Sequence, residues 1–329
     1  MNYKNFTRRK VLQGTVLGLS LSGLGVNAQS YPNSKPVKII VPFAPGGTTD
    51  ILARLIGKHL QERLGVPVNM ENRTGAGGSI GADAVAKSIP DGHTLVMGSI
   101  GTHATNSLIY PKMPYDSVSD FAPVAMAGSA TLVLVVHPSL GVTTVNGLID
   151  LLRNKPNIYS YASGGIAASQ HLAGELFKYA TGVSMQHIAY KGSAGALTDL
   201  LSGRVPIMFA DLPLVLPHIQ SGALRALAVA DPEPSPALPG IPTVSQSGVT
   251  GYVATAWYAL FAPAKTPGPV LGRLQTEVVD ILKLPELRKV MLDQGVRPGN
   301  IYGEELRKFQ ENEISRWRAS IKAANIQTE

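Results

Sequence analysis

Cysteine is missing altogether from the 329 residues. That rules out disulfides, thiolate metal sites and a lipid-bearing cysteine behind an export signal. Charge is scarce, at 16%, and no dense Lys/Arg cluster with interleaved aromatics occurs, so nucleic acid is not an expected partner. No repeat, heptad run or low-complexity block is present. No Gly-Lys-Ser/Thr phosphate loop exists, and the Gly-x-Gly that begins at Gly75 meets Ile80 where a dinucleotide fingerprint needs its third glycine. His59, His93, His103, His137, His171, His187 and His218 are scattered, with no pair at metal spacing on one helix and no acidic cluster beside them. Neither a metal nor a cofactor is expected, and no carboxylate pair suited to acid–base work is evident from spacing.

What the chain does have begins with an atypical N-terminus. Lys4, Arg8, Arg9 and Lys10 form a basic start without acidic residues, followed by an apolar or small-residue run over 14–26 and small residues through Ala28. The run holds roughly 13 residues, short of the ~20 needed to cross a bilayer core. Residues 1–28 therefore read as an export signal. Arg8-Arg9 ahead of Val11-Leu12 is similar to a twin-arginine signal, although Val11 stands where Phe is favoured; an ordinary secretory signal is the alternative. Both routes lead to the periplasm. The net charge of +7 is largely the signal's, since its removal leaves 25 basic against 22 acidic residues.

Hydrophobic residues make up 44% of the chain, and Gly 34 and Pro 24 are spread along it like punctuation between short elements. From Lys35 the pattern is strand, turn, helix, repeated. The run KPVKIIVPF reads as a buried strand; 49–64 follows as a helix with Ile51, Leu52, Leu55, Ile56, Leu60 and Leu64 on one face. VPVNME, a helix over 79–88 and HTLVMGS continue the series. A second series comprises helices over 145–153, 167–180, 195–201 and 212–221 alternating with YSYAS, SMQHIAY, VPIMFA and LRALAVA. Such alternation predicts parallel sheet covered by helices. The C-terminal part, helical over 267–283, 285–294 and 304–323, has too few strands for a sheet of its own and is expected to return to the first lobe. The expected fold class is α/β with two lobes, the second inserted into the first. The first spans 29–131 and 255–329, the second 132–254, with crossings near 132–136 and 256–261 and a ligand cleft between the lobes.

Strand ends that would face this cleft break into glycine- and hydroxyl-rich turns. They are Gly46-Gly47-Thr48-Thr49, ENRTGAGGSIGA, GSIGTHATN, YASGGIAASQH and YKGSAGA. Glycine admits close backbone approach, and a helix start presents N–H groups that attract anions. Each turn alone is accounted for by helix capping, with Asp50 already complementing the first helix dipole. Convergence of several on one cleft points to an anionic ligand. A rival of another class is a serine hydrolase: Gly77-Gly78-Ser79-Ile80-Gly81 matches G-x-S-x-G, with Asp211 and His218 downstream in triad order. The context fits poorly, because ENRTGAG separates the strand from Ser79.

The stretches KPVKIIVPFAPGGTTDILARLIGKHL, VPVNMENRTGAGGSIGADAVAKSIPDGHTLVMGS, IAYKGSAGALTDLLSGRV and WYALFAPAKTP, in this order, resemble the substrate-binding receptors of tripartite tricarboxylate transporters, the Bug family. The resemblance runs from about Ser34 to the C-terminus. It implies a type II-like periplasmic binding protein without catalysis, that closes on a small organic carboxylate and presents it to membrane permease subunits; a sensor kinase is the alternative recipient, and a monomer is the default expectation. It further implies a carboxylate held by first-lobe loops at Gly46, Gly47, Thr48, Thr49, Gly77, Gly78, Ser79 and Thr102. The second lobe supplies Ser163, Gly164, Gly165, Ala168, Lys191, Gly192 and Ser193, with Asp211 near the ligand's far end and Asp50 organising its loop.

Three departures from the family pattern stand out. Ala167 and Ala168 replace the more usual Gly and Ser or Thr, the Pro-rich loop DPEPSPALPGIPT lacks an Arg, and Gln246 replaces Glu. Loss of a hydroxyl donor at the cleft suggests a ligand whose distal part is less hydroxylated than citrate or malate. Accordingly, Ala168→Ser is expected to leave affinity for the physiological ligand flat or lower in a binding titration; a gain for an apolar carboxylate would contradict this.

Overall fold

The computed structural model describes residues 31–326. The expected export signal, 1–28, lies outside the described residues. The order of elements is β1 (Val37–Val41), α1 (Thr48–Leu64), β2 (Val68–Asn72), α2 (Ser79–Ala86), β3 (Thr94–Ser99), α3 (Asn106–Ile109) and β4 (Phe121–Ala130). Then come β5 (Leu132–Val136), α4 (Val145–Asn154), β6 (Ser160–Ser163), α5 (Ser169–Thr181), β7 (Gln186–Ala189), α6 (Ser193–Leu201), β8 (Ile207–Asp211), α7 (Leu212–Gln220) and β9 (Arg225–Val229). The chain ends with β10 (Ala256–Pro263), α8 (Gly268–Lys283), α9 (Pro285–Asp293), β11 (Val296–Pro298) and α10 (Gly303–Ala323).

Two sheets result, in the orders β11-β4-β10-β3-β1-β2 and β7-β6-β8-β5-β9. Both are mixed, which corrects the expectation of parallel sheet. Pairing is parallel among β2, β1 and β3 and among β7, β6 and β8, where helical crossovers connect the strands. It is antiparallel wherever β4, β5, β10 or β11 takes part. Those strands carry the chain from one sheet to the other or close an edge. The sequence reading also missed β4 and the three-residue edge strand β11; β4 is rich in alanine and glycine and carries Pro123, so its strand propensity is weak.

Burial on both faces of each sheet explains the near-continuous apolar strands. Successive side chains point to opposite faces, so Ile39 joins the layer under α1 and α8 while Ile40 joins the one under α2 and α10. In the second sheet Leu132, Leu134 and Val136 face the side of α4 and α5, and Val133 and Val135 face that of α6 and α7. The C-terminal helices do return to the first sheet: α8 and α10 both pack on β4.

Between β4 in one sheet and β5 in the other stands a single residue, Thr131. Its N–H donates to Gly295 O, its carbonyl accepts the Leu212 N–H, and its hydroxyl donates to Asp231 Oδ2 at 2.8 Å. Arg297 on β11 donates to the same Asp231 oxygen at 2.5 Å. Burial raises the Asp231 pKa above the ordinary carboxylate value, with Thr131 and Arg297 opposing. This knot fixes the chain where it leaves the first sheet.

Helix α5 lies on the second sheet through Gly174. A Cβ there would come within 2.2 Å of the Tyr161 ring, which is fully buried and cannot swing away. Gly174→Ala is expected to destabilise the protein by about 1–3 kcal/mol through overpacking and to lower the thermal midpoint by several degrees, because α5 must lift from β6. An unchanged midpoint would contradict this packing.

Candidate functional site

Three helix starts, two from the second sheet and one from the first, meet at a single cavity. Helix α1 contributes Gly47, Thr48 and Thr49, helix α5 contributes Ala168, Ser169 and Gln170, and helix α6 contributes Ser193. Phe43, Ser99, Ile100, Gly164, Asp211 and Tyr258 complete the lining, with no Lys, Arg or His among them. The residues preceding the three helices, Gly47, Ala168 and Gly192, provide no side-chain cap. Helices α2, α7, α8 and α10 also start without a side-chain cap, so what sets α1, α5 and α6 apart is that their starts meet at one cavity. The first N–H groups of a helix lack intrahelical acceptors, and their dipoles add to the same sign of potential. Convergence of three such ends contributes positive potential to the cavity without a cationic side chain, opposite the carboxyl of Asp211.

The first turn differs in one respect from the sequence reading, which had it capped in the ordinary way. Asp50 does not cap α1. Its Oδ2 accepts the Gly46 N–H at 3.1 Å and Arg54 Nε at 2.8 Å, while Oδ1 accepts Arg54 Nη2 and Asn72 Nδ2 at 3.0 Å each. Burial would raise the Asp50 pKa, but these donors outweigh it and hold the carboxyl below its ordinary value. Its stabilising contribution is therefore present near neutral pH and lost as pH falls through that lowered value. The negative charge is neutralised away from the cavity, and the helix start is left open.

Of the other residues singled out in the sequence, Gly77, Gly78, Gly165 and Lys191 line a second cavity, which shares Phe43 and Gly164 with the first. Five lie outside both linings. Gly46 serves Asp50; Gly192, with φ +131°, lets the Ala44 backbone approach, since a Cβ there would meet Ala44 N at 3.0 Å. Ser79 Oγ accepts Asn106 Nδ2 at 3.0 Å and lies beside Met113 Sδ, so neither partner is a base able to activate it. Ser163 bonds to Gly165 and to His187 Nε2 at 2.7 Å. Thr102 is fully buried, bonded to both the N–H and the carbonyl of Ser99 and to His103 Nδ1.

GSIGTHATN is not an open turn. It winds into a π-helical stretch, Gly101–Thr105, that runs directly into α3, so Ser99 and Ile100 reach the cavity instead of Thr102. Helix α5 starts at Ser169 rather than at 167, because Ala167 has φ +65°, outside the helical region. Ala167 is held there by its N–H donating to His171 Nδ1 at 3.1 Å and its carbonyl accepting Thr105 Oγ1 at 2.7 Å. It does not line the cavity, so its departure from the family pattern concerns backbone strain, and of the two only Ala168 is in the cavity lining. The glycine more usual at this loop suits such a φ better.

Sequence reasoning missed Gln170 and Tyr258. Asp211, fully buried at the end of β8, accepts Gln170 Nε2 on Oδ2 at 2.6 Å and the Tyr258 hydroxyl on Oδ1 at 2.8 Å. Gln170 also donates to Ser193 Oγ at 3.2 Å. Burial pushes the Asp211 pKa up to about 6, with Tyr258 and Gln170 opposing. The Thr48 hydroxyl is close enough to oppose it too, yet its Oγ1 makes no hydrogen bond of normal geometry among the described residues. Tyr258 crosses from the first sheet to the second in making its bond. So do Ala44, whose N–H donates to Lys191 O at 3.3 Å, and Thr105 in its bond to Ala167. No group of three or more His, Asp or Glu among the described residues is placed to hold a metal ion, and no described helix is long and apolar enough to cross a membrane.

Two lobes, a cleft between them and convergent backbone donors define the class of two-lobed solute-binding proteins. A family model described as tripartite tricarboxylate transporter family receptor matches residues 52–326; the chain belongs to this family of Bug-type receptors, which bind substrates and are not enzymes. The protein BugT of Bordetella pertussis is 36% identical over 319 residues, covering 97% of this chain and 98% of BugT. The structure of R. palustris Rpa4515 with adipate matches with a TM-score of 0.88 at 38% identity, over 90% of this chain and 99% of that one. MatC from Rhodopseudomonas palustris with bound malate matches at 0.82 and 30% identity, over 87% and 98%.

Proposed function

We propose that this protein is a periplasmic receptor that captures a small organic carboxylate by closure of its lobes and delivers it to the permease subunits of a tripartite transporter. The observation that carries the reading is the meeting of three uncapped helix starts, from both lobes, at one cavity without a cationic side chain. A carboxylate's oxygens accept backbone N–H groups well, and hydrogen bonds to a charged group contribute about 1.5–3 kcal/mol each. The similar structures with adipate and with bound malate support the same ligand class. The lobes in this reading are 29–131 with 255–329 and 132–254, the export signal is 1–28, and the receptor acts as a monomer. Closure would be hinge motion about Thr131 and the return near Ala254, where Ala254 N–H donates to Ala230 O. Within the cavity Gly47, Thr48, Thr49, Gly164, Ala168, Ser193 and Asp211 contact the ligand. Gly46, Gly77, Gly78, Ser79, Thr102, Ser163, Gly165, Lys191 and Gly192 shape the loops around it.

The test is thermal unfolding of protein refolded to strip carried-over ligand, against adipate, malate, citrate and benzoate. A ligand present at about 100 times its dissociation constant adds about 2.7 kcal/mol of stability, read as a midpoint several degrees higher. Folded, ligand-free protein that responds to none of these carboxylates would contradict the reading.

A further inference from the structure

The cavity contains its own carboxyl group. Asp211 lines it together with the three helix starts, and no basic side chain lines it to neutralise a second anion. Two ionised carboxylates enclosed in so small a space repel strongly, and a carboxyl pair in that position lowers its energy by sharing one proton. Each Asp211 oxygen already accepts one donor, the Tyr258 hydroxyl on one and the Gln170 amide on the other. The carboxyl plane is thereby fixed, and a lone pair or an acidic hydrogen is left to meet the ligand.

We infer that, in the captured complex, a carboxyl group of the ligand and Asp211 share a single proton drawn from solvent, so that the receptor takes up a carboxylate together with a proton. This rests on the carboxylate reading and goes beyond it by specifying the ionisation state of what is captured. The balance is simple: ligand carboxylate, Asp211 carboxylate and one solvent proton become a hydrogen-bonded acid–carboxylate pair, with no other bond made or broken.

The surroundings supply no competing titration near neutral pH. The groups facing Asp211 are Tyr258 from β10, Gln170 from α5, Thr48 from α1 and, through Gln170, Ser193 from α6. Tyr258 is held neutral, since burial and the neighbouring carboxylate raise its pKa well above the ordinary phenol value. On α5, His171 has its pKa pushed down to about 3, mainly by burial, and uses Nδ1 to accept the Ala167 N–H, so it adds no charge. The raised pKa of Asp211, about 6 for the same reason of burial, means that proton uptake costs little close to neutrality.

Calorimetric titration with adipate, and in parallel with malate, citrate and benzoate, in two buffers of different ionisation enthalpy measures protons taken up per ligand. At about pH 7.5 the expected uptake is about one, and the dissociation constant falls about tenfold per pH unit of acidification, levelling off near the Asp211 value of about 6. Asp211→Asn removes the uptake and flattens the pH profile, whatever its absolute affinity. Should that variant fail to fold, Tyr258→Phe serves: it removes a donor from the Asp211 carboxylate, raises its pKa and moves the levelling point to higher pH. Binding without proton uptake and with a flat pH profile would overturn this inference and leave the carboxylate reading standing. Failure of all four carboxylates to bind across the range would overturn both.

Discussion

Backbone N–H groups at a helix start need acceptors, and three helices of this protein reach the same cavity without a side chain to cap them. That shared need is what the rest of the molecule is organised around. The strands of both sheets end where the helices begin, glycines and small residues keep the junctions short, and Asp50 is turned aside to bind Gly46, Arg54 and Asn72. A capping carboxylate at α1 would occupy the place of a ligand. Directed away and neutralised by Arg54, Asp50 stabilises the turn and leaves its N–H groups free to act on something else.

Against that positive field stands Asp211, and the two have to be considered together. Two unit charges of like sign 4 Å apart repel by about 4 kcal/mol at an effective dielectric of 20. A helix end returns only about 0.3–1 kcal/mol at an exposed site and up to about 2 in a partly buried one. Three ends are therefore comparable with, rather than far larger than, one uncompensated repulsion, and the ionisation state of Asp211 becomes decisive for which ligands are tolerated. The Tyr258 bond to Asp211 also ties the first sheet to the second, so the group that adjusts the field is part of the contact between lobes.

Much of the fold was legible in the sequence, because helices such as α1 carry an unbroken 3.6-residue pattern and the buried strands are apolar throughout. Strand direction was not. Whether β4, β5 and β10 run parallel or antiparallel depends on how the chain passes between two sheets, and local periodicity is blind to that. The lining of the cavity was legible where backbone chemistry dictates residue type, at Gly47, Thr48, Thr49, Gly164 and Ser193. It was obscure where tertiary crossing brings in ordinary-looking residues. Gln170 passes for a surface residue on an amphipathic helix, and Tyr258 for one more aromatic in a buried strand. The available signal for Tyr258 was its hydroxyl, since a tyrosine in so apolar a strand needs a polar partner when buried. Thr102 misled for the opposite reason: a threonine after a strand looks like a ligand donor, but here it closes a π-helical turn on Ser99.

In the proposed receptor, backbone amides rather than basic side chains hold the anion. Amide-resolved NMR during titration with a carboxylate that binds measures this directly. The largest shifts are expected at the N–H groups of Gly47, Thr48 and Thr49, of Ser169 and Gln170, and of Ser193, whereas the Ala168 N–H already donates to Gly165 O. Tight binding that leaves these amides unmoved and perturbs lysine or arginine side chains would contradict it.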